Sequence, residues 1–192
     1  MTATNAFAAT PSVSPSHWLK RYYGVRALVS ALWVALALTL GKGQPLFGIA
    51  LLIVYPAWDS LANYADARRN GGLRANPTQA LNAVVSATVA LAVIIAIAIA
   101  AGRDLHAAIG VIGVWATLSG ILQLSTGIRR WRDAGAQWPQ ILSGAQSALA
   151  GVHFLVKALD PSTALGVADV APYAAFGALY FALSFAVLAL RR

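Results

Sequence analysis

The sequence predicts an all-α integral membrane protein of six transmembrane helices, arranged as three repeated helical hairpins with both termini in the cytoplasm. Three observations predict this. Of 192 residues, 59% are hydrophobic and 10% are charged, with a mean hydropathy of +0.67; soluble domains run at about 45–50% apolar and about 25% charged. The apolar residues fall in nearly charge-free runs of the length that spans a bilayer, about 18 residues or more. Finally, Arg-Arg doublets close apolar runs at Arg68-Arg69, Arg129-Arg130 and Arg191-Arg192, spaced by 61 and then 62 residues.

The chain opens on a tail rich in Ala, Thr, Ser and Pro, residues 1–17, expected to be flexible. It lacks the basic start and apolar core of a secretory signal. A single membrane domain follows over 18–192. Its spans lie at about 22–41, 45–66, 79–101, 105–128, 139–158 and 170–190, and its hairpins at about 18–70, 75–132 and 138–192. Helices are expected because lipid forces backbone polar groups to pair within the segment. Runs such as AVIIAIAIAA and FAVLAL also lack the alternation of barrel strands. Pro45, Pro77, Pro139 and Pro172 fall near span starts, where a missing N–H costs little. Asp104 and Asp169 are the expected N-caps of the fourth and sixth helices.

Orientation follows from the basic residues. Lys20, Arg21, Arg26, Arg68, Arg69, Arg74, Arg129, Arg130, Arg132, Arg191 and Arg192 fall on one side, and Lys42, Arg103 and Lys157 on the other. The positive-inside rule makes the first side cytoplasmic. Trp18, Tyr22, Tyr23, Trp131 and Trp138 gather there as interfacial anchors. The Arg doublets then complement helix C-terminal dipoles and anionic lipid headgroups. The net charge of +8 belongs to these loops, and nucleic acid is not an expected partner.

A second pattern supports the repeat. Ser30-Ala31, Ser86-Ala87 and Ser147-Ala148 occupy equivalent places in the odd-numbered helices. Gln79, Leu81, Ser86 and Ala87 match Gln140, Leu142, Ser147 and Ala148 at a constant offset. Small residues allow close approach between helices in lipid. The pairs Ala83/Ala87, Ala116/Gly120 and Gly144/Ala148 have the required spacing.

Few residues carry chemistry. There is no cysteine and no glutamate, and no HExxH, GxSxG or P-loop spacing. No catalytic residue, metal site or cofactor is expected. Asp59 stands out because it falls within the second span, roughly 14 Å from Arg68 along a helix. A charge at that depth costs about 2.5 kcal/mol or more unless it is paired or wet. It forms an ion pair with Arg26, acts as a protonatable group, or simply contacts water, with Asn63 and the carbonyl freed by Pro56 beside it. His153 is the other titratable candidate, with Lys157 one turn away reaching for the headgroups and toward Asp160. Gln123, Gln140 and Gln146 are candidate interhelical hydrogen bonders.

The segment GVWATLSGILQLSTGIRRWR at 113–132, with YPAWDSLANYADARR at 55–69 one hairpin earlier, resembles the HdeD-like membrane proteins. Asp59 stands where members of that family often carry an acidic residue before a glycine, and this chain has Ser60 in the glycine's place. The resemblance implies a six-helix bacterial inner-membrane protein with a link to acid stress, and it supplies no catalytic residues. The resulting expectation is a non-enzymatic inner-membrane protein that supports acid or stress tolerance. The alternative is a small transporter or channel built around a protonatable Asp59. The lipid bilayer is the expected partner, and assembly as a homo-oligomer stays open.

Overall fold

The computed structural model describes residues 15–129 and 138–190, and every regular element among them is helical. In order these are α1 (Pro15–Leu36), α2 (Pro45–Arg69), α3 (Pro77–Ile99), α4 (His106–Arg129), α5 (Trp138–Ala158) and α6 (Val167–Leu190). The last turn of α1 widens into a π-helical turn, Ala37–Gly41. Helix α1 starts about two turns before the expected span, because Pro15 serves as a helix start and Tyr22 and Tyr23 already face neighbouring helices. Among the described residues, five helices are long and apolar enough to cross a membrane, which is the architecture of a multi-pass helical membrane protein. Helix α5 falls outside that set; it carries Ser143, Gln146, Ser147, His153 and Lys157.

The tight interfaces are not those within the expected hairpins. Helix α4 packs along α5, α2 along α3, and α6 returns to pack along α1, whereas α1 with α2 and α5 with α6 touch little. Small residues explain the closest of these. A Cβ on Gly120 would lie 2.3 Å from the Ala148 N, and one on Gly144 2.5 Å from the Leu124 N. Further along, a Cβ on Gly151 would meet the Thr117 Oγ1 at 2.3 Å. The backbones of α4 and α5 are thus in direct contact through the Gly120 and Gly144/Ala148 positions that their spacing marked out. At the α1–α6 seam Phe185 lies over Gly24, while Tyr23 stacks on Phe181 at 6.3 Å. The start of α1 and the end of α6 therefore share one end of the bundle with the Arg68-Arg69 turn. We call this the basic end.

The α2–α3 turn depends on left-handed glycines. Gly71 and Gly72 have φ of +99° and +92°, and the Gly72 N–H closes the helix by donating to the Ala67 carbonyl at 2.9 Å. At the opposite end the α3–α4 and α5–α6 connections meet at His106. Its ring contacts the Asp104 carboxylate and the Asp160 carbonyl. Asp104 caps α4 by accepting from the His106 backbone N–H at 2.9 Å. Asp169 is not the N-cap of α6. The helix starts two residues earlier, and Asp169 reaches back to the Gly166 N–H at 2.9 Å. Lys157 also differs from expectation: it faces α6 and pairs with Asp169 at 2.7 Å. Asp160 instead accepts from Ser162 and Thr163 within its own loop.

The interior has two zones. Toward the opposite end, Leu51, Leu52, Val93, Ile109, Ile112 and Val170 form a dry apolar plug. Its boundary is an aromatic layer in which Tyr55, Trp115 and Tyr173, one from each even-numbered helix, contact one another edge to face at 5.8–6.3 Å. Trp33 joins from α1, stacked near Tyr55 at 4.7 Å with its Nε1 donating to the Leu51 carbonyl at 2.8 Å. Between this layer and the basic end, the bundle holds polar side chains around a cavity.

Two expectations follow. Gly120→Leu drives a side chain into the α5 backbone and lowers stability by about 3 kcal/mol or more. Gly43→Ala, with no atom within 4 Å of the new Cβ, stays within about 0.5 kcal/mol of wild type. Thermal unfolding in detergent reads both, and equal effects contradict the close α4–α5 contact. In the loops, hydrogen bonds from the His106 backbone and from the Ser162 and Thr163 hydroxyls hold the Asp104 and Asp160 carboxyls below the usual carboxylate range. Depressed carboxylates stabilise above the unfolded value near about 3.9, and that contribution is lost as pH falls through the folded values. Hydrogen exchange over 101–106 and 160–166 should therefore accelerate as pH falls below about 4, relative to the helix interiors. A flat ratio contradicts it.

Candidate functional site

Asp59 lies on α2 one turn beyond the aromatic layer, ten residues before Arg69 and so about 15 Å inside from the basic end. The Arg26 guanidinium of α1 meets its Oδ1 in a direct ion pair. Its Oδ2 accepts from the Ser86 Oγ of α3 at 2.8 Å and from the Asn63 Nδ2 at 3.0 Å. Ser86 in turn accepts from the Trp115 Nε1 at 3.2 Å. One carboxylate thus joins α1, α2, α3 and α4. Arg26 is held from its other sides by the Tyr22 hydroxyl at 2.8 Å and by the Phe181 ring, 4.2 Å from the guanidinium carbon. That ring supplies a cation–π face in place of water.

A second carboxylate repeats the arrangement one heptad nearer the basic end. Asp66 accepts from the Trp18 Nε1 at 2.9 Å and from the Asn70 Nδ2 at 2.8 Å. Asp59, Asn63, Asp66 and Asn70 therefore line one face of α2, each Asp followed by its Asn partner at i+4. The sequence reading singled out Asp59 and Asn63 and passed over Asp66. The 4-3-4 spacing of these four residues was the signal that could have found it.

The three repeated serines are all buried. Ser86 serves Asp59. Ser147 donates to the Ala116 carbonyl at 3.0 Å and lies 3.2 Å from the Tyr173 hydroxyl. Ser30 lines the cavity. Among the other candidates, His153 is exposed beside Phe154 and lines the α5–α6 arm of the same cavity, with no contact to the Arg26–Asp59 pair. Arg68 and Arg69 end α2 at the surface, over Tyr64 and Trp18 respectively. Arg129 closes α4; Arg130, Arg191 and Arg192, with Arg132 and Trp131, lie outside the described residues. No group of three potential metal-ligating side chains converges among the described residues.

The cavity measures about 1300 Å³. Arg26, Asp59, Asn63 and Asp66 form one wall. The uncharged side chains of Gln79, Asn82, Ser119, Gln123, Ser143 and Gln146 form much of the rest. Within the bundle it stops at Tyr55, Trp115 and Tyr173, and it also extends along the cleft between α5 and α6. Two enclosed donors in its walls, the Arg26 Nε and the Trp58 Nε1, have no acceptor among the described residues. The arrangement can host a polar group inside the apolar bundle, and its charged residues already have protein partners.

No protein family, no curated protein and no solved structure matches the chain.

The two tryptophan N–H groups separate cost from benefit. Trp58→Phe removes a donor with no acceptor and should leave stability unchanged or raise it. Trp33→Phe removes a made bond to the Leu51 carbonyl and should cost about 0.5–1.5 kcal/mol. Denaturation in mixed micelles compares the two, and a larger loss at Trp58 contradicts the assigned hydrogen bonds.

Proposed function

We propose that this is a non-enzymatic multi-pass protein of the bacterial cytoplasmic membrane, which binds a small molecule in a chamber open toward the cytoplasm. The observation that carries this reading is the division of the interior. A polar chamber occupies one half of an otherwise apolar bundle, and an aromatic layer and a dry plug close the other half. Structural polar groups can satisfy one another without leaving a cavity of about 1300 Å³; a binding site of this kind is concave, mostly preformed and lined by a few convergent polar groups. The cytoplasmic orientation of the chamber and of both termini is supported by the basic residues gathered at its end, which also suit anionic headgroups. Descent from three hairpins is supported by the equivalent buried serines. A role in acid or stress tolerance is supported by the likeness of 55–69 and 113–132 to the HdeD-like proteins.

A second reading, a small transporter or channel, is favoured by the exposure of the Asp59 wall to the chamber. Against conduction through a fixed bundle stands the ion pair, which holds the carboxylate; the aromatic layer closes the bundle interior, while the cleft between α5 and α6 runs past it to Lys157 and Asp169.

The natural absence of cysteine makes the test direct. Asn82→Cys should react with a membrane-impermeant maleimide in inside-out vesicles and stay unreactive in right-side-out ones. The reverse pattern overturns the orientation, and no reaction in either overturns the open chamber. In sealed liposomes under a pH gradient, proton flux should not exceed that of empty liposomes. Flux that vanishes in Asp59→Asn would instead establish the transporter reading.

A further inference from the structure

We propose that the chamber takes a single-chain amphiphile with an uncharged, hydroxyl- or ester-bearing head, which passes in from the lipid through the cleft between α5 and α6. The proposal rests on the small-molecule reading above and assigns the chemistry of that molecule and its route.

The head is constrained by charge. The ionised groups in the chamber wall already have partners: Arg26 has Asp59, Asp59 has Ser86 and Asn63 as well, and Asp66 has Trp18 and Asn70. Among the lining side chains Arg26 and Lys157 stand against Asp59, Asp66 and Asp169, so a phosphate or carboxylate would enter against an excess of carboxylate. What the walls offer instead are amides and hydroxyls, from Gln79, Asn82, Gln123, Gln146, Ser119 and Ser143. Each can both donate and accept, which matches hydroxyl and ester oxygens.

The tail is constrained by the cleft. Helices α5 and α6 are joined by the loop 159–166 and lie apart, bridged by Ser147 to Tyr173 and by Lys157 to Asp169. The space between them belongs to the same cavity and has apolar walls, among them Leu149, Phe176, Leu183 and Val187. Both helices turn large apolar side chains outward here, so the cleft faces hydrocarbon rather than water. The volume of about 1300 Å³ takes in this cleft as well as the chamber, so the continuous space suits a polar head with a chain attached. Gly177 sits at this passage. A Cβ there would meet the Tyr55 hydroxyl at 3.6 Å, an ordinary contact, so a larger side chain can enter the cleft without a backbone clash.

The experiment uses the full chain in phosphatidylethanolamine–phosphatidylglycerol vesicles with a monoacylglycerol carrying a diazirine near its chain end. Adducts formed on illumination are mapped by peptide mass spectrometry. A fatty acid with the same chain is the charged comparison. The expected result is adducts concentrated on the cleft faces of 149–154 and 176–188, with yield falling at least about fivefold with the fatty acid, as for loss of one or two hydrogen bonds. Gly177→Leu should abolish the concentration by filling the passage. Gln146→Leu, which leaves the passage open, should reduce it and provides the second variant should the first fail to fold. Adducts spread evenly over outward residues such as Leu28 and Leu118, unchanged by both variants, overturn the proposal. Equal or stronger labelling by the fatty acid overturns the uncharged head. A reactive Asn82→Cys with no cleft adducts defeats the amphiphile while leaving the chamber; an unreactive Asn82→Cys with no adducts defeats both.

Discussion

A carboxylate inside an apolar helix bundle must be satisfied locally, and much of this structure is arranged around meeting that demand for Asp59. At its depth an unpaired charge costs about 2.5 kcal/mol or more. Arg26 supplies the opposite charge, and Ser86 and Asn63 occupy the second oxygen. Each of these donors imposes a position on its helix. Arg26 fixes the rotation of α1, Ser86 that of α3, and Trp115, through Ser86, that of α4. Phe181 then closes over the guanidinium from α6. Hydrophobic burial cannot choose between helix rotations when lipid is as apolar as the core. A shared polar centre can, because its hydrogen bonds are directional.

The same centre divides the interior. On one side, the aromatic triad and the plug of Leu, Ile and Val exclude water. On the other, the polar residues needed near the charges keep the helices from collapsing, and a chamber remains. Its lateral extension follows from the packing order. The closest interfaces are α4 with α5 and α6 with α1, which draw the two helices of the last hairpin toward different neighbours. The cleft between α5 and α6 is the geometric consequence. Chamber and cleft together therefore have a polar floor and an apolar side passage, the feature on which the functional reading depends.

Much of the fold was readable because it rests on composition and length. Five of the helices needed only apolar runs bounded by Pro and Arg. Close packing at Gly120 and at Gly144/Ala148 needed only their spacing. The encounter of Arg26 with Asp59 was legible as one of three alternatives, since both residues enter the first hairpin from the basic side at similar depth. What could not be read was which helices would pack. Hairpin connectivity suggested α1 with α2 and α5 with α6, whereas small-residue stripes on α4 and α5 and Gly24 on α1 decided otherwise. Asp66 was passed over because it lies near a helix end, where a carboxylate is commonly solvated; its burial depends on Trp18, which was expected to face the membrane interface. Lys157 was assigned to Asp160 by nearness in sequence, but its rotation on α5 turns it to Asp169. The chamber itself has no local signature, since Gln79, Asn82, Ser119, Gln123, Ser143 and Gln146 converge only through tertiary packing.

The central claim is that Asp59 and Arg26 act as one unit within the bundle. A double-mutant cycle with Arg26→Met and Asp59→Leu, read by reversible unfolding in mixed micelles, measures it most directly. The account predicts that each single substitution destabilises by about 3–5 kcal/mol, because it strands the other charge, and that the double variant recovers much of that loss. Additive losses, with the double variant as unstable as the sum of the two, would contradict it and leave Asp59 without the partner on which the rest of the interior is argued.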